Sequence, residues 1–297
     1  MNFDPDNKNL RLVRTEDILS TQIRHYETEV DGTKIHWVKA GRGRPIIFLH
    51  TIFGSWDHFN ELIPSFTDEF SVIIPDLPGL GPHGRDKELP YPHTLDGYSR
   101  FLDNFSQRLD LKKFHLVGSS LGSLIGLKYA VQNPWKLQSL TLQGIPTSFH
   151  PLVGKFSRLL LFPPNAKLFN ILPFKIFYQI IKRDPNLIGT EDQKKTWALR
   201  AKQSSFRAFA EVAHSILHTK IEEVARRLTT PTLMIDGDKA VWPKKEDTQK
   251  FASIIPNICG PIFINGAGHN VPREKPREFA KAIKKFIITV CPQVISN

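Results

Sequence analysis

Cysteine is nearly missing from this chain: Cys259 and Cys291 are the only 2 in 297 residues. They lie far apart and form no metal or redox motif, so they read as free or buried thiols in a reducing compartment. Long hydrophobic runs are missing as well. No uninterrupted apolar stretch approaches the ~18 residues of a membrane span, which argues against stable membrane insertion. The start, Met1-Asn2-Phe3-Asp4-Pro5-Asp6, is polar and acidic and cannot serve as a signal peptide, so the expected location is cytoplasmic. Acidic residues are the scarcer charge, 29 against 40 Lys and Arg, for a net +11. The basic residues fall in scattered pairs (Lys112-Lys113, Lys194-Lys195, Lys244-Lys245, Lys284-Lys285). No basic stripe interleaved with aromatics and no nucleic-acid module is present, so a solvated surface is expected and nucleic-acid binding is not. Internal repeats and low-complexity segments are absent too. A chain of this length can bury one substantial core with an insertion.

What is present is an alternation of short apolar runs and helical patterns. Ile23 to Val30 and Thr33 to Ala40 read as two strands joined by the hairpin signal Asp31-Gly32. Pro45 to His50, Phe70 to Pro75, Lys113 to Val117, Leu137 to Leu142, Pro231 to Ile235 and Pro261 to Ile264 are runs of the fully buried kind. A helical pattern covers Thr94 to Leu109, and a basic amphipathic one closes the chain from Pro272 to Val290. Strands alternating with helices imply a mostly parallel sheet covered on both faces. The alternation breaks once. From roughly Pro146 to Leu228 there are only apolar, aromatic helical segments punctuated by prolines, which read as a helical cap inserted between two strands. A cap too small for its own core must lean on the sheet, lining the cleft at the carboxyl ends of the strands.

The chemistry is concentrated in Gly118-Ser119-Ser120-Leu121-Gly122, placed between a buried strand and a helix. A G-x-S-x-G at that junction is a nucleophile elbow: small residues admit a tight turn, and the serine hydroxyl stands at the helix N-terminus, where developing negative charge is favoured. Three further segments follow strands in the same way: His50-Thr51-Ile52-Phe53-Gly54, Asp76-Leu77-Pro78-Gly79-Leu80-Gly81 and Gly266-Ala267-Gly268-His269-Asn270.

In this order and spacing the four segments resemble the α/β-hydrolase superfamily, in its capped single-domain branch, from Tyr26 to Ile288. The resemblance implies a mostly parallel eight-stranded sheet with helices on both faces. Residues 1–22 would be a polar N-terminal extension, 23–145 and 229–297 the core, and 146–228 the cap. It gives Ser120 the role of nucleophile and His269 that of general base. The backbone N–H of Leu121 and that of Ile52 would form the oxyanion hole. Thr51 replaces the family's usual glycine before Ile52, and His50 reads as a structural hydrogen-bonder. Dehalogenases and epoxide hydrolases of the superfamily carry an aspartate at the elbow, whereas Ser120 favours attack on an acyl carbon. Phe174, Phe177 and Tyr178 of the cap are the expected apolar wall of the substrate site.

The third member of the triad is where the chain departs from the family. The expected G-x-x-D pattern after the post-cap strand here reads Gly237-Asp238-Lys239-Ala240, so counting three from the glycine lands on Ala240. Asp238 through a shortened loop is the preferred acid; the alternatives are Ala240 as a vacant position, and Asp236 or a carboxylate from elsewhere in the chain. The family's other acid position, after the strand before the cap, holds Gln143. The expectation is a serine hydrolase acting on a carboxylic ester of a fairly lipophilic small acyl compound. No metal or organic cofactor is implied, and the protein is expected to be a monomer or homodimer. The rivals are acyl transfer or cofactor-free oxidative chemistry on the same fold, and a non-catalytic binding protein.

Overall fold

The computed structural model describes residues 10–84, 87–146 and 191–290. Nine strands form one sheet: β1 (Leu10–Ile18), β2 (Thr21–Val30), β3 (Thr33–Ala40), β4 (Arg44–Leu49), β5 (Phe70–Pro75), β6 (Phe114–Ser119), β7 (Leu137–Gln143), β8 (Thr232–Gly237) and β9 (Ile258–Ile264). Their order across the sheet is β1-β2-β3-β5-β4-β6-β7-β8-β9. The pairs from β1 through β3 to β5 are antiparallel and all others parallel. The mainly apolar character of β5, β6 and β8 has a direct cause: every residue of these strands is buried, because helices cover both faces.

One strand more is present than the eight expected, and it is β1. Residues 10–18 lie inside the stretch read as a polar extension, yet they pair antiparallel with β2 from Leu10↔Thr28 to Ile18↔Thr21. The strand escaped notice because it is an edge strand with most residues exposed, so polar side chains cost it nothing. The Asp31-Gly32 turn forms as the sequence suggests. Both residues have positive φ, 52° and 78°, and Val30 faces Thr33, the geometry that a two-residue hairpin turn requires.

Helix α1 (Leu95–Arg108) begins at Thr94, whose hydroxyl accepts the N–H of Gly97. With α2 (Leu121–Gln132) it covers one face of the sheet, burying Tyr98, Phe101, Phe105 and Leu124. Further along the chain come α3 (Glu191–Lys202), α4 (Phe206–His218), α5 (Ile221–Ala225) and, after β8, α6 (Lys245–Ala252). The closing helix is broken into α7 (Val271–Glu274) and α8 (Pro276–Val290). Pro276 has no N–H to continue a helix through that point, but it suits the first position of a new one. From the opposite face α8 contributes Phe279, Ile283 and Phe286, which join Phe59 and Phe66 in a second core. No helix among the described residues is long and apolar enough to cross a membrane.

The described part of the expected cap, α3 to α5, is helical and leans on the core. The Ser205 N–H donates to Gly79 O at 2.7 Å, and Glu211 of α4 accepts the His93 N–H at 2.7 Å. The rings of Phe209 and Phe53 sit 5.3 Å apart.

Candidate active site

Strand register brings the chemical residues to one edge. Leu49 lies opposite Gly118, Ser119 opposite Gln143, and Gly237 opposite Ile264. The segments after β4, β6, β7, β8 and β9 therefore leave the sheet side by side, at the carboxyl ends of its strands.

Ser120 follows β6 directly, with φ 53° and ψ −108°. This is a left-handed conformation that a serine adopts only when its surroundings enforce it. The surroundings do so by close approach. A Cβ on Gly118 would stand 2.3 Å from Gly122 O, and one on Gly122 would stand 2.1 Å from Leu49 O. The Ser120 N–H donates to Gln143 O at 2.8 Å, while its carbonyl accepts Ser123 N at 3.0 Å as the helix begins. Leu121 is the first residue of α2, so its N–H is one of the donors that a helix leaves unpaired at its start. Because Gly122 packs on Leu49, the loop carrying Ile52 emerges next to that helix end. Gly54 N closes this loop on Thr51 O at 2.8 Å.

His50 is structural. Its Nε2 accepts Leu77 N at 2.9 Å, which leaves Nδ1–H to donate to Thr51 O at 2.8 Å. Burial lowers its pKa, consistent with that neutral tautomer.

His269 sits on the loop after β9. The ring packs on Gly144, where an added Cβ would meet His269 Cε1 at 2.9 Å, and the Gly144 φ of +59° suits glycine. Gln143 Nε2 donates to His269 O at 2.7 Å, and Glu274 clamps the loop by accepting Gly268 N at 2.6 Å and Asn270 N at 3.0 Å. Burial pushes the imidazole pKa down to about 4, with the Trp242 main chain offsetting a little. Ser120 and His269 thus flank Gln143-Gly144, but no direct hydrogen bond joins them among the described residues.

The carboxylates expected as candidates for the acid hold backbone groups in this structure. Asp238 Oδ1 accepts Gly266 N at 2.7 Å, in the turn after β9, and no hydrogen bond joins Asp238 to His269 among the described residues. Asp236 is buried and engaged elsewhere, accepting Gly144 N at 2.7 Å and the Thr248 hydroxyl at 2.6 Å. Burial raises its pKa to about 7, against the pull of those two donors. His269 Nδ1, the atom a triad acid would hold, is buried with no hydrogen-bond partner among the described residues. Residue counting identified the loop but could not show which way its carboxylates turn.

Sequence reading missed the support around these groups. His58 Nε2 donates to Ser119 Oγ at 3.1 Å, and Ser119 donates to Gln143 Oε1 at 2.6 Å. The Gln143 amide is thereby oriented to hold the His269 backbone. Burial keeps His58 far below its ordinary pKa, with nearby Arg273 adding to the effect, so it stays a neutral donor. Asp57 receives Arg200 from α3 and lies 3.6 Å from Arg273. Burial pushes its pKa up, but Arg200, Ser55 and Arg273 outweigh that and hold it low. The expected wall residues Phe174, Phe177 and Tyr178 lie outside the described residues.

The profile of the "alpha/beta hydrolase fold" family matches residues 44–276, from β4 to the start of α8. The chain belongs to the α/β-hydrolase fold family. Among its relatives is a soluble epoxide hydrolase of Corynebacterium sp. (strain C12), 26% identical over 290 residues, covering 90% of this chain and 98% of that protein. Another is lipase 3 of Moraxella sp. (strain TA144), 25% identical over 258 residues, covering 82% and 77%. A thermophilic esterase structure from Thermogutta terrifontis superposes with a TM-score of 0.73 at 19% identity, covering 95% of this chain and 98% of the other. For this α/β-hydrolase, likeness at that identity speaks for the fold; the reaction has to be argued from the site.

Proposed function

We propose that this α/β-hydrolase cleaves carboxylic esters of fairly lipophilic small acyl compounds through an acyl-Ser120 intermediate. The observation that carries the reading is Ser120 itself, a hydroxyl held at φ 53° on the strand-to-helix elbow. Where epoxide hydrolases and dehalogenases of the fold use an aspartate, an alkoxide formed at Ser120 is suited to acyl carbons. Relatives named as a lipase and an esterase, and the apolar Phe53–Phe209 contact between the loop after β4 and α4, support an ester with an apolar acyl part.

In this mechanism Ser120 Oγ attacks the acyl carbon while His269 takes its proton. The N–H groups of Leu121 and Ile52 hold the oxyanion. Collapse expels the alcohol, which receives the proton from His269. Water, deprotonated by the same imidazole, then releases the acid from Ser120. Among the described residues no carboxylate stands on His269 Nδ1, so turnover is expected to be slow for this fold. A binding protein that retains the elbow rests on the same bare nitrogen.

A fluorophosphonate probe and a series of p-nitrophenyl esters test the reading. Ser120 should be labelled, and Ser120→Ala should lose both label and turnover, on the order of 10⁶ in kcat for a full triad and less from a weaker start. If Phe174, Phe177 and Tyr178 wall the cleft, activity should rise with acyl length, by about 0.8 kcal/mol per buried methylene. No labelling between neutral and alkaline pH would favour the binding protein.

A further inference from the structure

A line of polar groups, buried except for the partly exposed Glu16, crosses the antiparallel end of the sheet, away from Ser120. Glu16 Oε1 of β1 stands 3.1 Å from His25 Nε2 of β2, off the line of a good hydrogen bond. His25 Nδ1 stands 2.9 Å from His36 Nε2 of β3. His36 Nδ1 in turn stands 2.6 Å from Asp76 Oδ2, just past β5. Three gaps join two carboxylates and two imidazoles, and each gap needs one hydrogen. Neutral imidazoles carry only two between them. If His36 Nδ1–H serves Asp76 and His25 Nδ1–H serves His36, then His25 Nε2 is left with a lone pair facing a carboxylate. The His25 side chain is fully buried, so an unmatched pair of acceptors there is costly.

A cation in the line removes the mismatch, and a third imidazole indicates where it binds. The exposed His83 stacks on His36 with ring centroids 4.6 Å apart. One ligand atom each from His36, Asp76 and His83 lies within 4.8 Å of the other two. We propose that His36, Asp76 and His83 form a site for a divalent transition metal ion, with Zn²⁺ as the reference ion. The metal takes the place of the hydrogen between His36 Nδ1 and Asp76 Oδ2, and His83 closes the site from the solvent side with water as a fourth ligand. Zinc–ligand bonds of about 2.0–2.2 Å spread neighbouring ligand atoms beyond 3 Å. The His36–Asp76 gap therefore widens by several tenths of an ångström.

With the metal on Nδ1, His36 Nε2–H donates to His25, and His25 Nε2–H donates to Glu16. Every gap is then filled by neutral imidazoles and ionised carboxylates. This is the outer arrangement that metal-bound histidines ordinarily have. An extra proton alone would also fill the line, but it would leave His83 without a part. Two imidazoles and one carboxylate suit Zn²⁺, and Cu²⁺ or Ni²⁺ at higher availability. The other oxygen of Asp76 accepts the Trp56 N–H at 2.7 Å, so the bound ion would brace the loop that carries Ile52.

Calorimetric titration of chelator-stripped protein with Zn²⁺ tests the site, with melting curves and the visible spectrum of the Co²⁺ form as companion readouts. One ion per chain, a raised Tm and a Co²⁺ spectrum of low coordination number are expected. His83→Ala changes an exposed turn residue, should still fold, and should bind at least about tenfold more weakly. The stacked pair His214 and His218, with ring centroids 4.0 Å apart on α4, is the rival chelator. His218→Ala should therefore leave the titration unchanged. Absence of stoichiometric binding, or binding insensitive to His83→Ala, or binding lost in His218→Ala, overturns the proposal.

Discussion

At His269 the balance between burial and partnership sets the behaviour expected of the site. Burial, slightly offset by the Trp242 main chain, takes its pKa to about 4, and among the described residues no carboxylate stands on Nδ1 to stabilise the imidazolium formed during attack. The base is therefore unprotonated from neutral pH down to about 4 rather than to the usual 6.5 or so. Activity carried by that neutral form should be lost only as pH falls through the lowered value. A pH profile of kcat/KM should accordingly stay level through pH 6 and fall on its acid side near pH 4–5; a fall centred near 6.5 would mean that the ring is solvated or paired in the working enzyme. Ala240 marks the place where the family's pattern puts an acid. Ala240→Asp is expected to raise kcat by orders of magnitude, up to about 10⁴ as judged from the loss when a serine protease loses its carboxylate function. If Asp238→Asn instead cripples the enzyme and Ala240→Asp does nothing, Asp238 must swing from Gly266 to His269 during turnover. Steady-state rates of both variants on one ester decide between these outcomes.

Among the elements, the junctions at the strand ends matter more than the strands themselves. Gly144, just beyond β7, combines a φ of +59° with the imidazole of His269 against its Cα. Gly144→Ala should cost about 1–2 kcal/mol in backbone strain. It should also displace the His269 ring, lowering kcat well beyond what the loss of stability explains; a melting curve and a rate measured on the same sample separate the two effects. These junctions also show what could be read from the chain and what could not. Thr94 and Leu109 bracket α1 in the structure as the helical pattern implies, because capping and apolar spacing are local signals. The elbow was legible for the same reason, since a tight turn writes its small residues into adjacent positions. The carboxylates of Asp236 and Asp238 were not legible. Which backbone N–H each one meets, Gly144 or Gly266, depends on residues about 30 to 90 positions away, and pattern reading carries no such information. Strand β1 escaped because an exposed edge strand buries too little to leave a two-residue period.

For the molecule as a whole, β1 is the least committed part of the sheet. It pairs only with β2 at one edge, and its exposed Leu12 and Val13 contribute nothing to the core. A chain lacking residues 1–19 should still fold, with β2 as the new edge, and should melt several degrees lower because a ladder of hydrogen bonds and the Glu16–His25 contact are gone. Thermal melts with size-exclusion chromatography check this; aggregation of the shortened chain would instead show that β1 guards the β2 edge.

Strands β7 and β8 are hydrogen-bonded neighbours, Leu140↔Thr232 through Gln143↔Ile235, although the cap region separates them in the chain. Closing a flexible loop grows dearer only with the logarithm of its length, about 0.6 kcal/mol for each doubling. Once β7 and β8 have met, the sheet is almost indifferent to how much chain hangs between them. Substrate preference in such a protein can therefore evolve by lengthening, trimming or replacing the excursion, while the elbow, the histidine loop and the strands beneath them stay as they are.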